Sequence, residues 1–203
     1  MKKLIGTLSL LIALSASAQD ENGMKTFISK GTQLNGFGSV DMKYTNMVDR
    51  PGLIVGAQGG VLLDHHFYVG AAGYGLATNV QFESNQDGNT YNLKGGYAGV
   101  MLGGVIAPSS IIHLYIPVLV GAGNFDVSDP DYNLGGFPRE VTIENSAFFV
   151  IEPGLQLDIN IARFFRLGLG GSWRFVEGSE LALVNNEDLS NWAAEVSFRF
   201  GKF

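Results

Sequence analysis

Between Phe165 and Phe175 the chain alternates without a break. Phe165, Leu167, Leu169, Gly171, Trp173 and Phe175 fall on one side; Arg166, Gly168, Gly170, Ser172 and Arg174 fall on the other. Successive side chains of a β-strand point to opposite faces, so this pattern predicts a strand with one apolar and one polar face, not a helix. The pattern recurs before it, where Phe149, Ile151, Pro153, Leu155, Leu157 and Ile159 oppose Val150, Glu152, Gly154, Gln156 and Asp158. It recurs again at the end, where Trp192, Ala194, Val196, Phe198 and Phe200 oppose Ala193, Glu195, Ser197 and Arg199. Near the start Leu34, Val40, Met42 and Tyr44 oppose Asn35, Ser39, Asp41 and Lys43, and Leu53, Val55, Ala57, Val61 and Leu63 oppose Gly56, Gln58 and Gly60.

Eight strands are predicted, at 32–44, 52–63, 67–82, 92–106, 113–125, 146–160, 164–176 and 190–203. The third, fourth and fifth are glycine-rich and apolar on both faces, which leaves their outward side open. Most exceed the globular mode of about five or six residues and match the roughly 9–11 residues with which a tilted strand crosses a bilayer. The connections at 64–66, 107–112 and 161–163 are short, and those at 45–51, 83–91, 126–145 and 177–189 are longer on average. Short turns at one end and long loops at the other are the pattern of an outer-membrane barrel.

Such a ring closes in two ways. A soluble lipocalin-like barrel turns its apolar rows inward, and a membrane barrel turns them toward lipid. The polar rows here are mostly glycine and serine with a few long charged residues, which suits a narrow interior better than a water-facing surface. The expected lipid-facing and girdle residues are Phe165, Leu167, Leu169, Trp173, Phe175, Trp192, Phe198 and Phe200. An unpaired charge inside would be costly. The expected interior network is therefore Glu152, Glu195, Arg166 and Arg199, with Arg174, Asp41 and Lys43 nearer the mouth.

Residues 1–18 read as a cleavable signal peptide: Lys2 and Lys3, an apolar run from Leu4 to Leu14, then Ala16 and Ala18 as a small-x-small cleavage site. The apolar run is shorter than the roughly 20 residues of a spanning helix. A short periplasmic segment at 19–31 then leads into the barrel domain at 32–203. The net charge of −6 argues against a nucleic-acid partner. With no cysteine there is neither disulfide nor thiolate metal site.

The leader, the strand count, the loop asymmetry and the terminal Glu195-Val196-Ser197-Phe198-Arg199-Phe200-Gly201-Lys202-Phe203 together resemble a small outer-membrane β-barrel of the OmpX and OmpA transmembrane-domain type. The resemblance is architectural. It implies an all-β, eight-stranded antiparallel up-and-down transmembrane barrel in the outer membrane of a Gram-negative bacterium. Outer-membrane lipids and the barrel-assembly machinery are the implied partners. Members end on a lipid-facing aromatic, and Phe198 and Phe200 lie in that row while Phe203 is out of phase; these three are the expected assembly signal.

An eight-stranded barrel is just wide enough for its side chains to fill it, which predicts a plugged lumen. The long loops are strongly acidic, with Arg50 and Arg139 as their only bases, and suit divalent cations or a surface partner. Asp126, Asp129 and Asp131 lack the glycine and the closing glutamate of an EF-hand. Leu181 to Val184 are too apolar for a solvated loop and are expected to extend the strands or meet a partner. His65, His66 and His113 all fall at the short-turn end, so a histidine-based lipid A-modifying enzyme is disfavoured. No catalytic, cofactor or metal residue is assigned. The expected function is a non-enzymatic structural or cell-surface interaction barrel. The alternatives are a lipid A-modifying enzyme, a narrow ion channel and a secreted soluble lipocalin-like barrel.

Overall fold

The computed structural model describes residues 33–84, 87–134 and 137–203. The predicted leader at 1–18 and the segment at 19–31 lie outside those residues. The elements in chain order are β1 (Leu34–Met47), β2 (Arg50–Leu63), β3 (Phe67–Leu76), β4 (Val80–Glu83), β5 (Thr90–Ile106), β6 (Ile112–Leu134), β7 (Phe137–Ala162), β8 (Phe165–Trp173), β9 (Phe175–Glu177), a single-turn helix α1 (Asn186–Leu189) and β10 (Trp192–Gly201).

Among the described residues these strands close an antiparallel ring of eight, in the order β1, β2, β3, β5, β6, β7, β8, β10 and back to β1. The short β4 continues β3 alongside β5, and β9 continues β8 alongside β7. Cross-strand register followed once round the ring runs from Leu34 through Leu63, Phe67, Gly104 and Ile116, crosses to Leu155 in the frame set by Tyr115↔Gln156 and Val118↔Pro153, and continues through Gly171 and Ala194 to return to β1 at Tyr44. That stagger of ten residues over eight strands tilts them by roughly 40° to the barrel axis.

The two ends are built differently. At one end Asp64–His66, Ala107–Ile111 and Arg163–Phe164 join the strands closely. At the other, the asymmetry lies more in strand length than in loop length. The segment 126–145, expected as a loop, is the continuation of β6 and β7 as a paired hairpin with register shifts at Val127/Ser128 and between Asp129 and Tyr132. Its acids masked an alternation that Phe125 and Val127 still carry. The segment 45–51, also expected as a loop, is strand up to Met47 and from Arg50, closed by Val48 and Asp49 at φ 50° and 56°. Two successive positive φ values are the backbone of a tight hairpin turn whose twist matches the strands. A β-branched valine there gives no sequence signal for it.

Around the ring the strands keep one buried and one exposed row, a pattern that breaks only toward the long-loop end, where Tyr91, Asn92 and Leu93 of β5 and Val127 and Ser128 of β6 are buried in succession among the described residues. In β1 the inner row is Asn35, Ser39, Asp41, Lys43, Thr45 and Met47. The strands whose phase was open resolve the same way: Tyr68, Tyr74, Tyr97, Met101, Tyr115 and Leu119 point inward. The inward tyrosines lie over glycines of the neighbouring strand. A Cβ on Gly60 would sit 2.3 Å from the Val69 carbonyl oxygen and 2.9 Å from the Tyr68 ring. Gly104 is the contrast, with nothing within 4 Å of its Cβ position. Gly60→Val is therefore expected to destabilise the barrel by about 2 kcal/mol or more, while Gly104→Ala changes it by less than about 0.5 kcal/mol. Urea unfolding of the two variants in lipid vesicles measures both.

Candidate functional site

The inner and outer rows keep their faces along the barrel, but the residues that fill them exchange character part-way up. From the short turns to the level of Tyr44, the outer row is apolar and includes Val40, Val61, Val69, Val100, Leu102, Ile116, Leu155 and Leu169. The inner row over that span holds Asp41, Lys43, Gln58, Glu152, Gln156, Asp158, Arg166, Glu195 and Arg199, all buried. Beyond it β5, β6 and β7 reverse. Lys94, Asn124, Asp126 and Asn145 face outward, and Leu93, Phe125, Val127 and Phe148 form a buried apolar core.

Aromatic side chains mark both limits of the apolar band. Phe67, Phe164, Phe165 and Phe200 ring the short-turn end, with Phe165 and Phe200 stacked at 5.0 Å between centroids. Tyr44, Phe149, Trp173, Phe175 and Trp192 ring the other. The ten residue steps from Phe165 to Phe175 amount to about 33 Å of strand, which at a tilt of roughly 40° stands about 25 Å tall. Leu167 and Phe198 are partly covered in the same outward row.

Three layers fill the interior. At the short-turn end the Arg199 guanidinium donates to Asp158 and Gln156 and lies over the Tyr115 ring, 4.2 Å from its centroid. Arg166, directly opposite Arg199 in the register, turns away and stacks on Phe203 at 3.8 Å. In the middle layer Lys43 Nζ donates to Glu152 Oε1 at 2.5 Å, lies 3.9 Å from Glu195 Oε2, and sits 3.7 Å from the centroid of the Tyr74 ring. Glu152 also accepts from Tyr97 and Ser172, each at 2.5 Å. Asp41 accepts from Ser39 at 2.8 Å and from Tyr74 at 3.1 Å. In the top layer Arg174 Nε donates to the Leu189 carbonyl at 2.9 Å.

The expected network is thus partnered differently. Glu152 and Glu195 share Lys43, not Arg166 or Arg199, because Lys43 stands opposite Glu195 while the two arginines face each other. Asp158 and Gln156 are the partners of Arg199. They occupy the same polar row as Glu152, so the row itself held the signal. Tyr74 and Tyr97 had no such signal, since their strands are apolar on both faces. Phe203 packs inside against Arg166 and Phe37, with ring centroids 6.0 Å apart in the second pair, which leaves Phe200 as the last outward aromatic.

The long-loop end is covered from within. Leu181, Val184 and Leu189 are buried in the apolar core rather than extending the strands outward. The Val48 N–H donates to the Asp188 carbonyl, and Glu144 accepts the Ala182 N–H at 3.0 Å, which ties this segment across the mouth. Several loop acids have defined partners. Glu140 accepts from Lys94 at 2.5 Å and from Asn92 at 3.3 Å, and those bonds hold its carboxyl below the ordinary glutamate range. The Tyr91 hydroxyl, with the Asn89 N–H, does the same for Asp87. Asp126 accepts from Asn145. The Asp131 side chain lies outside the described residues. Among the described residues no three His, Asp or Glu side chains gather as a metal site. His65 and His66 lie in the β2–β3 turn, and His113 points inward 3.6 Å from Asp158.

Solved structures share this architecture. Neisserial surface protein A is 13% identical with a TM-score of 0.53, the match covering 86% of this chain and 100% of that one. The N-terminal β-barrel domain of Pseudomonas aeruginosa OprF is 11% identical with a TM-score of 0.51, covering 84% and 98%. At these identities the likeness is one of fold, and the fold is that of the small outer-membrane β-barrels. No protein-family model and no curated protein sequence matches the chain.

Lys43 is the cation on which the middle layer balances. Lys43→Met leaves Glu152 and Glu195 buried without it and is expected to lower stability by about 3 kcal/mol or more. Adding Glu152→Gln and Glu195→Gln should restore part of the loss, as measured by urea unfolding in vesicles.

Proposed function

We propose that this chain is a resident of the outer membrane of a Gram-negative bacterium, and that it works there as a non-enzymatic barrel with a side-chain-plugged lumen. Its role is structural or that of a cell-surface interaction protein, exercised through the acidic long-loop end. The exchange of polarity at the level of Tyr44, Trp173 and Trp192 carries this reading. Below that level the surroundings that match the outer row are hydrocarbon, and above it they are water. A secreted lipocalin-like barrel would need its apolar row inside along its whole length. An enzyme acting on lipid A would need its base at the long-loop end, whereas His65, His66 and His113 are all at the other.

The plug reading is supported by the inward Tyr68, Tyr74, Tyr97 and Tyr115, by the ion pairs that neutralise each other across the lumen, and by the apolar cover at Leu181, Val184 and Leu189. It disfavours the narrow channel. The acids of the exposed end favour a partner of opposite charge, divalent cations or a basic surface. Phe198 and Phe200 in the outer row, with Phe203 behind them, are the proposed signal for the assembly machinery.

Recordings across planar bilayers are expected to give no discrete conductance steps. The same protein, taken from outer-membrane fractions, is expected to migrate faster on a detergent gel before boiling than after. Reproducible unitary conductance would overturn the plug, and recovery of the folded protein in the soluble fraction would overturn the membrane assignment.

A further inference from the structure

At the short-turn mouth lies a cavity of about 600 Å³, lined from all three short turns and the chain end: His65, Ser109, Asn160, Arg163, Arg166, Lys202 and Phe203 contribute. The chain as a whole carries 19 acids against 13 bases. Yet Arg163, Arg166 and Lys202 meet here with no Asp or Glu in the lining. The nearest interior carboxylate, Asp158, gives its Oδ2 to Arg199 and makes no hydrogen bond to Arg166, although its Oδ1 is also unpartnered, and Asp64 in the adjoining turn accepts the Gln33 N–H at 2.9 Å. Arg166 is the decisive residue. It is 6% exposed, its Nε is buried without a hydrogen-bond partner, and no carboxylate pairs with it among the described residues. Among the described residues its guanidinium lies over the Phe203 ring at 3.8 Å, a contact that leaves Nε unused.

A buried guanidinium with free donors is costly unless an acceptor reaches it. A planar fork presents parallel donors to the oxygens of a carboxylate or phosphate, and additional cations around it favour the more highly charged of the two. His65 suits the same ligand. Its Nε2 takes the Asn35 amide at 3.1 Å, and because that amide only donates, the remaining ring proton is on Nδ1. We propose that this mouth is an anion site for a phosphate group, received by Arg166 and surrounded by Arg163 and Lys202. The group belongs either to a soluble phosphate monoester or to a phospholipid headgroup of the adjoining leaflet. This inference rests on the cavity itself and not on the role proposed above.

The test uses the full chain folded in a phosphate-free non-ionic detergent and titrated with inorganic phosphate, following the Arg166 Nε–Hε resonance by NMR. The expected result is a saturable shift that chloride at equal ionic strength does not reproduce. Arg166→Gln should abolish binding. The exposed-rim pair Arg163→Gln/Lys202→Gln, which keeps Arg166 in place, should weaken it about tenfold or more. Heat-modified gel mobility verifies that each variant is folded. Transfer to phosphatidylglycerol bilayers without added phosphate identifies the source: a shift of the same kind assigns the lipid headgroup, and none assigns the soluble monoester. A resonance that does not move with phosphate, moves equally with chloride, or moves unchanged in the rim variant overturns the site.

Discussion

Closure of eight strands with a stagger of ten residues is the constraint from which the rest follows. It leaves the eight strands of the ring without a free edge and fixes an interior that side chains must fill. A group inside such a barrel has no bulk water to turn to, so each charge needs a counter-charge or a hydrogen bond within reach. Lys43 between Glu152 and Glu195, and Arg199 against Asp158, meet that requirement across strands far apart in sequence. Tyrosines complete the filling because their rings take up volume over glycines while their hydroxyls supply donors, as Tyr97 does to Glu152 and Tyr74 to Asp41.

The outer surface answers to a different constraint, and the two meet at one level. A strand offers only two faces, so what surrounds the barrel decides which residues each can carry. The β5–β7 wall exposes Val100, Leu102, Ile116 and Ile151 in its lower part and Lys94, Asn124 and Asn145 above. Its interior changes oppositely, from Glu152 and Gln156 to Phe148 and Phe125. A protein surrounded by water throughout has no reason to invert. The upper part has the apolar inside and polar outside of an ordinary β-core, and α1 with Leu181, Val184 and Leu189 closes that core from the side of the mouth.

Much of this was written plainly in the sequence, and the reasons it failed elsewhere are physical. The rows of β1, β2, β7, β8 and β10 were legible because large apolar residues alternate with charged ones. In β3, β5 and β6 the inward tyrosines rank with the outward valines as apolar by type, so alternation could not rank the faces. The glycines opposite them were the missed sign, since a glycine row beside a tyrosine row needs close backbone approach inside a narrow wall. The pairing of the charges was only half legible. Rows give the charges a common interior, but register decides that Lys43 faces Glu195 and that Arg166 faces Arg199. The extension of β6 and β7 is hidden in the sequence because its acids point to solvent, which is correct for the outward side chains and says nothing against a strand.

The membrane level itself offers the most direct test. The chain has two tryptophans, Trp173 and Trp192, and both sit outward in the upper aromatic row as directly paired neighbours. Their fluorescence in vesicles of brominated phosphatidylcholines reports the depth of that row. Bromines high on the acyl chains, near the headgroups, should quench it strongly, and bromines near the bilayer centre only weakly. Emission unaffected by bromine at any depth, in protein whose boiled and unboiled gel mobilities differ, would contradict a lipid-facing outer row.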